Sequence, residues 1–330
     1  VQATDKTNSP QILVLLGAPR SGTTFVQREL SQYPGVVTTT ELHYFPQFAS
    51  PQLRRFEQQV QSIEDLGNGF DASGQMKDRV ISLAAVIERS EFLSFLRSPI
   101  DQLCERASRE YEDTTVFMMK NPTDAIFSLD ASSILPDAHW LNVIRSPHDV
   151  VKSYRSISKD WGGKWAPRSV VIGCFLWRMC VLGALQLEDL PNFTTVIYEE
   201  TRKNPGEVLS NALREIGMSE LAASEGRVEA KWLTSSLGER LHDESGPIEP
   251  KTFGDGTVAR PRLSGLQTRI VTMLCRDLMG RFGYLDEGER TSLNPIVGKF
   301  LQTVEYLYNR KAHRDVKRSF SAKATDIALI

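Results

Sequence analysis

Ile12-Leu13-Val14-Leu15-Leu16-Gly17-Ala18-Pro19-Arg20-Ser21-Gly22-Thr23-Thr24 runs from an unbroken apolar stretch through a glycine-punctuated loop into a helical pattern. A strand that is apolar on both faces is one covered on both sides, as in a parallel sheet. Gly17 and Gly22 take the first and sixth positions of the phosphate-loop frame G-x-x-x-x-G-K-[ST]. In that frame, successive backbone N–H groups and the N-terminus of the following helix make an anion cradle. The seventh position holds Thr23 instead of the lysine that reaches the outer phosphates of a triphosphate. The positive charge sits at Arg20, whose planar fork suits the oxygens of a phosphate or sulfate.

Outward from this loop, four more short runs read as buried strands: Val36–Thr39, Val116–Met119, Trp140–Ile144 and Thr195–Tyr198. Helical patterns over Thr23–Gln32, Pro147–Ser158, Val170–Leu187 and Pro205–Ile216 lie between or after them. The last has Asn204 as N-cap, Pro205 at its first position and Gly217 as C-cap. This alternation predicts an α/β protein with a phosphate-loop-like, doubly wound parallel sheet flanked by helices. Residues 1–10 read as a flexible segment and 11–330 as a single domain. Within it, 48–113 reads as a helical insertion covering the carboxyl edge of the sheet, and 218–289 as a partly irregular segment over the cleft. Ligands of such sheets bind at the carboxyl ends of the strands.

A second anion site is predicted after the fourth strand. Arg145 stands at the strand end, Pro147 suits a first helical turn, and Ser153 follows two turns into the helix. A guanidinium and a hydroxyl so placed suit a second phosphate. A magnesium-dependent phosphate-loop enzyme needs a carboxylate near such a strand end. An arginine there predicts another anion and no metal.

Composition narrows the classes. The chain has 330 residues, 41% hydrophobic and 24% charged, with a formal net charge of −2. That balance gives no global attraction to nucleic acid or to anionic lipid. The basic stretch Arg310, Lys311, Arg314, Lys317 and Arg318 reads as a solvated helix face. Four cysteines at Cys104, Cys174, Cys180 and Cys275 match no zinc spacing and are too few for a disulfide scaffold. They predict a reducing, cytoplasmic setting. No apolar run reaches the ~18 residues of a membrane span. The start at Val1 suggests one domain of a larger multifunctional enzyme.

Together these residues resemble the sulfotransferases that use 3′-phosphoadenosine 5′-phosphosulfate (PAPS). Pro19-Arg20-Ser21-Gly22-Thr23-Thr24 matches the family's loop for the 5′-phosphosulfate, and Arg145 with Ser153 matches its 3′-phosphate pair. The arginine form of the loop is similar to the bacterial, carbohydrate and tyrosylprotein branches. Counted from Arg20, Pro34 and Glu41 fall where the tyrosylprotein enzymes have a proline and a catalytic glutamate. Lys120, 25 residues before Arg145, falls where they have a lysine that assists transfer. Tyr198-Glu199-Glu200, followed by Asn204-Pro205, matches a Tyr-Glu segment of that group. The nucleotide-clamping loop of the family has only distant counterparts here, Thr257–Arg260 and Arg262–Gly265.

The resemblance implies in-line transfer of a sulfuryl group from PAPS to a hydroxyl, leaving adenosine 3′,5′-bisphosphate, without a metal. Arg20 and the loop amides then hold the sulfonate and phosphate, Ser21, Thr23 and Thr24 donate to the 5′-phosphate, and Lys120 stabilises the bridging oxygen. Glu41 is the expected base, its pKa raised by burial beside Tyr44 and Phe45. His43 is its competitor. Trp161, Gly162, Gly163 and Trp165 suit either a mobile cover over the cleft or plain packing. The alternatives are a phosphate-loop kinase or hydrolase, and a non-catalytic nucleotide-binding module. The acceptor is a hydroxyl compound, free or tethered to a carrier protein, and its identity lies outside what the motifs encode.

Overall fold

Six strands form one sheet: β1 (Gln11–Gly17), β2 (Val36–Thr38), β3 (Val116–Lys120), β4 (His139–Ile144), β5 (Phe193–Ile197) and β6 (Lys231–Trp232). Their order is β5-β4-β1-β3-β2-β6, and every pairing is parallel. The computed structural model describes residues 9–65, 83–160, 166–233, 262–286, 295–301 and 303. The chain leaves β1 for β2 and β3 on one side, then crosses to β4 and β5 on the other. That reversal opens a crevice at the carboxyl end of β1.

Alternation along the strands divides the core into two layers. Ile12, Val14 and Leu16 of β1 face one way, together with Phe117, Met119, Trp140 and Ile144. Leu13 and Leu15 face the other, against Val26 and Leu30 of α1 (Thr23–Ser31) and Leu209 and Leu213 of α8 (Pro205–Glu215). Asn204 caps α8 by accepting from the Glu207 N–H at 3.4 Å, and the chain leaves through Gly217 at φ 84.

The first layer is covered by α2 (Ser50–Asp65), α3 (Arg89–Glu110), α4 (Ser128–Ile134), α5 (Pro147–Asp160) and α6 (Val170–Leu185). The described part of 48–113 is largely helical, as α2 and α3. Phe92, Leu96, Ile100 and Cys104 recur every four residues on α3, and with Leu53 and Phe56 of α2 they join the core on the Ile12 face. Each such side chain gains roughly 1.5–3 kcal/mol from burial. Among the described residues α3 packs against α4, and α2 against α4 and the Phe45–Ala49 turn that follows β2.

The later chain differs from expectation. Short helices α7 (Tyr198–Lys203) and α9 (Ser219–Ala223) flank α8, and Tyr198 opens α7 instead of ending β5. Within 218–289, the described part holds β6 at the sheet edge and a core helix, α10 (Gly265–Arg281). Ser264 and Gln267 form a capping box at its start. Its Val271, Leu274, Cys275 and Leu278 are buried against the α5–α6 side. Thr257–Arg260, the tryptophan-glycine segment 161–165 and the basic stretch 310–318 lie outside the described residues. The four cysteines are unpaired and buried. Among the described residues no helix is long and apolar enough to cross a membrane.

Candidate active site

The predicted site residues stand at the carboxyl ends of neighbouring strands. Arg20 follows β1, Glu41 follows β2, Lys120 ends β3, Arg145 follows β4 and Tyr198 follows β5. The loop after β1 places Arg20 (φ 72) and Gly22 (φ 95) in the left-handed region. Such alternation turns successive N–H groups toward one side. Gly22 is the N-cap of α1 and makes no side-chain cap, and no acidic residue occupies the first turn. The first-turn N–H groups are therefore not satisfied by a cap and are available to an anion.

A side chain at position 22 would also collide with a neighbour. Its Cβ would lie 2.1 Å from Cδ2 of Tyr198. The Tyr198 ring thus backs directly onto the loop and meets Phe25 edge-on, and the guanidinium carbon of Arg145 sits 4.7 Å from its ring centroid. Arg145 Nη1 donates to the carbonyl of Arg20 at 3.2 Å. Arg20 Nε in turn donates to Ser153 Oγ at 3.0 Å. The two predicted anion sites are one connected cluster. Ser153 contacts Arg20 rather than pairing with Arg145, because α5 lays its second turn beside the loop.

The other half of the site centres on Lys120. Its side chain is 6% exposed, and Nζ lies 2.5 Å from Glu41 Oε1. Nζ also donates to Thr24 Oγ1 at 3.2 Å, which joins the pair to the loop. Gln27 of α1 holds the approach to Glu41, donating to Thr38 Oγ1 at 2.8 Å and to the Thr39 carbonyl at 2.9 Å. Glu41 itself is 41% exposed. The apolar enclosure expected of it is absent, since Phe45 turns into the core while Glu41 faces the crevice. His43, the competitor, stands in the left-handed region. It sits at φ 50, which brings Nε2 to 3.9 Å from Glu41 Oε2. A π-helical turn, Phe45–Ala49, follows at once, a local irregularity that is frequent at functional sites.

Several residues here carried no assigned role in the sequence reading. Asp124 is buried, accepts from Asn121 Nδ2 at 2.5 Å, and is pushed up to about 8 by burial, with the charge of Glu41 adding to the rise. Its only sequence signal was the polar Lys120-Asn121-Pro122 turn after a buried strand. Glu199 accepts from the Ser146 N–H at 3.1 Å, and Trp177 Nε1 donates to the Arg145 carbonyl at 3.0 Å. Glu199 was visible in the Tyr-Glu pair, whereas Trp177 read as one more apolar helix residue.

A sequence profile described as "Sulfotransferase family" matches residues 10–221, which is more than half of the chain. The chain belongs to the sulfotransferase family. Solved structures of low sequence identity are similar to it. One is the sulfotransferase domain of the Synechococcus PCC 7002 olefin synthase, at 19% identity and a TM-score of 0.43, covering 86% of this chain and 98% of that one. Another is a sulfotransferase from Alicyclobacillus acidocaldarius, at 16% identity and a TM-score of 0.40, covering 72% and 92%. A third, from Mycobacterium avium, has 17% identity and a TM-score of 0.38, covering 85% and 79%. No curated protein matches the sequence.

The cluster fits the sulfuryl donor of a sulfotransferase. Ser21 Oγ and Arg145 Nε are buried polar atoms with no partner in the protein. Buried donors are ordinarily satisfied, and these two belong to the loop and the strand end where an anion is expected. Among the described residues no group of three or more His, Cys, Asp and Glu could hold a metal ion.

Proposed function

We propose that this sulfotransferase uses PAPS and transfers its sulfuryl group to an acceptor hydroxyl, with Glu41 as general base. The observation that carries this reading is the Lys120–Glu41 pair, joined through Thr24 to the Arg20–Arg145 anion cluster. Both hydrogen-bonded groups share the loop after β1, Thr24 touching Lys120 and Arg20 touching Arg145 and Ser153.

PAPS supplies an activated sulfuryl group and a good leaving group, adenosine 3′,5′-bisphosphate. Arg20, the loop amides, Ser21, Thr23 and Thr24 bind the 5′-phosphosulfate in this reading, with Pro19 shaping the loop. Arg145, whose guanidinium lies over the Tyr198 ring, and Ser153 bind the 3′-phosphate. Fixed donors of this kind stabilise spreading negative charge without reorganising as it develops. Glu41 Oε1 accepts the hydroxyl proton. Protonation neutralises the carboxylate and releases Lys120 Nζ, whose charge stays beside Thr24 Oγ1 where negative charge must be met. His43, half-exposed with Nε2 3.9 Å from Glu41 Oε2, is the competing base.

The acceptor is a hydroxyl compound, either free or presented on a carrier protein. The buried free thiols support a reducing, cytoplasmic setting. A phosphate-loop kinase is disfavoured by Thr23 at the lysine position and Arg145 at the metal-carboxylate position. A silent binding module is disfavoured by the Lys120–Glu41 pair, which nucleotide binding alone does not need.

Calorimetric titration with adenosine 3′,5′-bisphosphate, and separately with ATP and magnesium, tests the donor. The bisphosphate is expected to bind without metal and more tightly than ATP. Magnesium-dependent ATP binding that ignores the 3′-phosphate would overturn the proposal. Labelled PAPS, offered with free hydroxyl compounds and with carrier-bound ones, then identifies the acceptor class.

A further inference from the structure

Arg145 is held in place from every side of its own backbone. The carbonyl of Ile144, just before it, lies 3.5 Å from the Tyr284 hydroxyl. The N–H of Ser146, just after it, donates to Glu199 Oε1 at 3.1 Å. Its own carbonyl accepts from Trp177 Nε1 at 3.0 Å, and Trp177 is fully buried. Glu199 and Tyr284 are themselves joined, since the Tyr284 hydroxyl donates to Glu199 Oε2 at 2.8 Å. The guanidinium emerging from this clamp has a buried Nε with no partner.

Tyr284 comes from beyond the span that marks the family, residues 10–221. It follows α10, which closes with Gly283 at φ 70 and a bond from the Tyr284 N–H to the Met279 carbonyl at 2.8 Å. That helix end is a rigid turn that aims the phenol back toward β4. The helix is seated on both of its neighbours. Arg178 of α6 donates to Asp277 and, at 3.0 Å, to the Leu274 carbonyl. On α5, Arg155 donates to Gln267 Oε1 at 2.7 Å, and His148 Nε2 lies 3.1 Å from Thr272 Oγ1. Burial and the adjacent Glu199 carboxylate raise the phenol's pKa, which keeps it a donor throughout the working range.

We infer that Tyr284, acting through Glu199, is a positioning residue that sets how tightly and how selectively Arg145 binds the 3′-phosphate of the nucleotide. The inference rests on the donor assignment made above. The phenol orients the Glu199 carboxylate, the carboxylate holds the Ser146 N–H, and the strand end then presents the guanidinium at a fixed angle. A guanidinium held in advance loses less freedom on binding, and that difference appears as affinity.

The test compares adenosine 3′,5′-bisphosphate with adenosine 5′-monophosphate by calorimetry, in the wild type, Tyr284→Phe, Glu199→Gln and the double variant. Tyr284→Phe keeps the ring and removes only the hydroxyl. It should weaken bisphosphate binding by about threefold to tenfold, the range of one net hydrogen bond. Binding of the 5′-monophosphate should stay within about twofold, as expected of a site without that phosphate. The double variant should lose no more than the worse single variant, because the two side chains act as one unit. Equal weakening of both nucleotides would reduce Tyr284 to general packing and overturn the inference, as would additive losses in the double variant. A discriminating wild type with an equally discriminating Tyr284→Phe sinks the inference alone. A wild type that does not discriminate between the nucleotides sinks the donor assignment with it.

Discussion

Lys120 is buried and Glu41 is half-exposed, yet the two are in direct contact, with Nζ 2.5 Å from Oε1. The asymmetry has consequences. The lysine has been taken out of water and depends on its partner for compensation, while the carboxylate keeps a face open to an incoming hydroxyl. Removing the carboxylate charge therefore affects the fold and the chemistry by different routes.

Glu41→Gln should lower turnover by roughly 10²–10⁴-fold, the usual weight of a positioned general base. It should also cost about 1–3 kcal/mol of stability, because the amide oxygen can still accept from Lys120 but no longer compensates its buried charge. Bisphosphate affinity should change little, since Glu41 lies outside the anion cluster. Steady-state kinetics, thermal melts and calorimetry read the three effects separately. Unchanged turnover would move the role of base to His43.

Arg145→Ala should weaken adenosine 3′,5′-bisphosphate by at least ~1.5 kcal/mol, the scale of a charged hydrogen bond. The Tyr198 ring, now without its cation, should not rescue binding. Calorimetric affinities within twofold of wild type would show that the 3′-phosphate is held elsewhere.

Gly22→Ala forces a side chain into a left-handed backbone, which costs about 1–2 kcal/mol. It also drives a Cβ into the Tyr198 ring. The ring must move away from Arg145, so stability and nucleotide affinity should fall together. A thermal melt and a bisphosphate titration of the same preparation check this.

Burial raises the Asp124 carboxyl from 3.8 to about 8. Between those values the folded protein keeps a proton that the unfolded chain has released, so stability falls as pH rises through that window. Asp124→Asn keeps the bond from Asn121 and removes the titration. The variant should exceed wild type in stability at pH 9 by more than ~1 kcal/mol, the worth of a single pKa unit. The difference should shrink toward pH 4. Denaturant unfolding at the two pH values measures it, and a constant difference would show that Asp124 is not the group responsible.

Asp277→Ala should destabilise the protein by roughly 3 kcal/mol, as expected when one partner of a mostly buried ion pair is removed. Arg178 is 5% exposed at its side chain, and its Nε already lacks a partner. Loss of the anchor should loosen α10, and limited proteolysis should cut the variant near residues 262–286 sooner than the wild type.

The phosphate loop was legible because everything it needs is consecutive in the chain. Strand, left-handed glycine, arginine and helix start are adjacent, so short-range sterics decide the local shape. β1 to β4 were legible because a strand covered on both faces is largely apolar, whereas β5 at the sheet edge buries only Val196. β6 was not, since two residues at a sheet edge carry no pattern. The buried face of α3 was harder to see, because polar residues lie between Phe92, Leu96, Ile100 and Cys104.

The sequence by itself determined the glycine-punctuated loop after β1 and the arginine after β4, because backbone geometry and fixed charge are local properties. Only the tertiary structure decided which side chains meet. Ser153 reaches Arg20 across 133 residues, Lys120 reaches Glu41 across 79, and Tyr284 reaches Glu199 across 85. Those contacts follow from the strand order β5-β4-β1-β3-β2-β6, which gathers the carboxyl ends of separate segments into one crevice. Strand order is set by how helices of given length and apolar face cover the two sides of the sheet, a property of the whole packed molecule that no local run of residues carries.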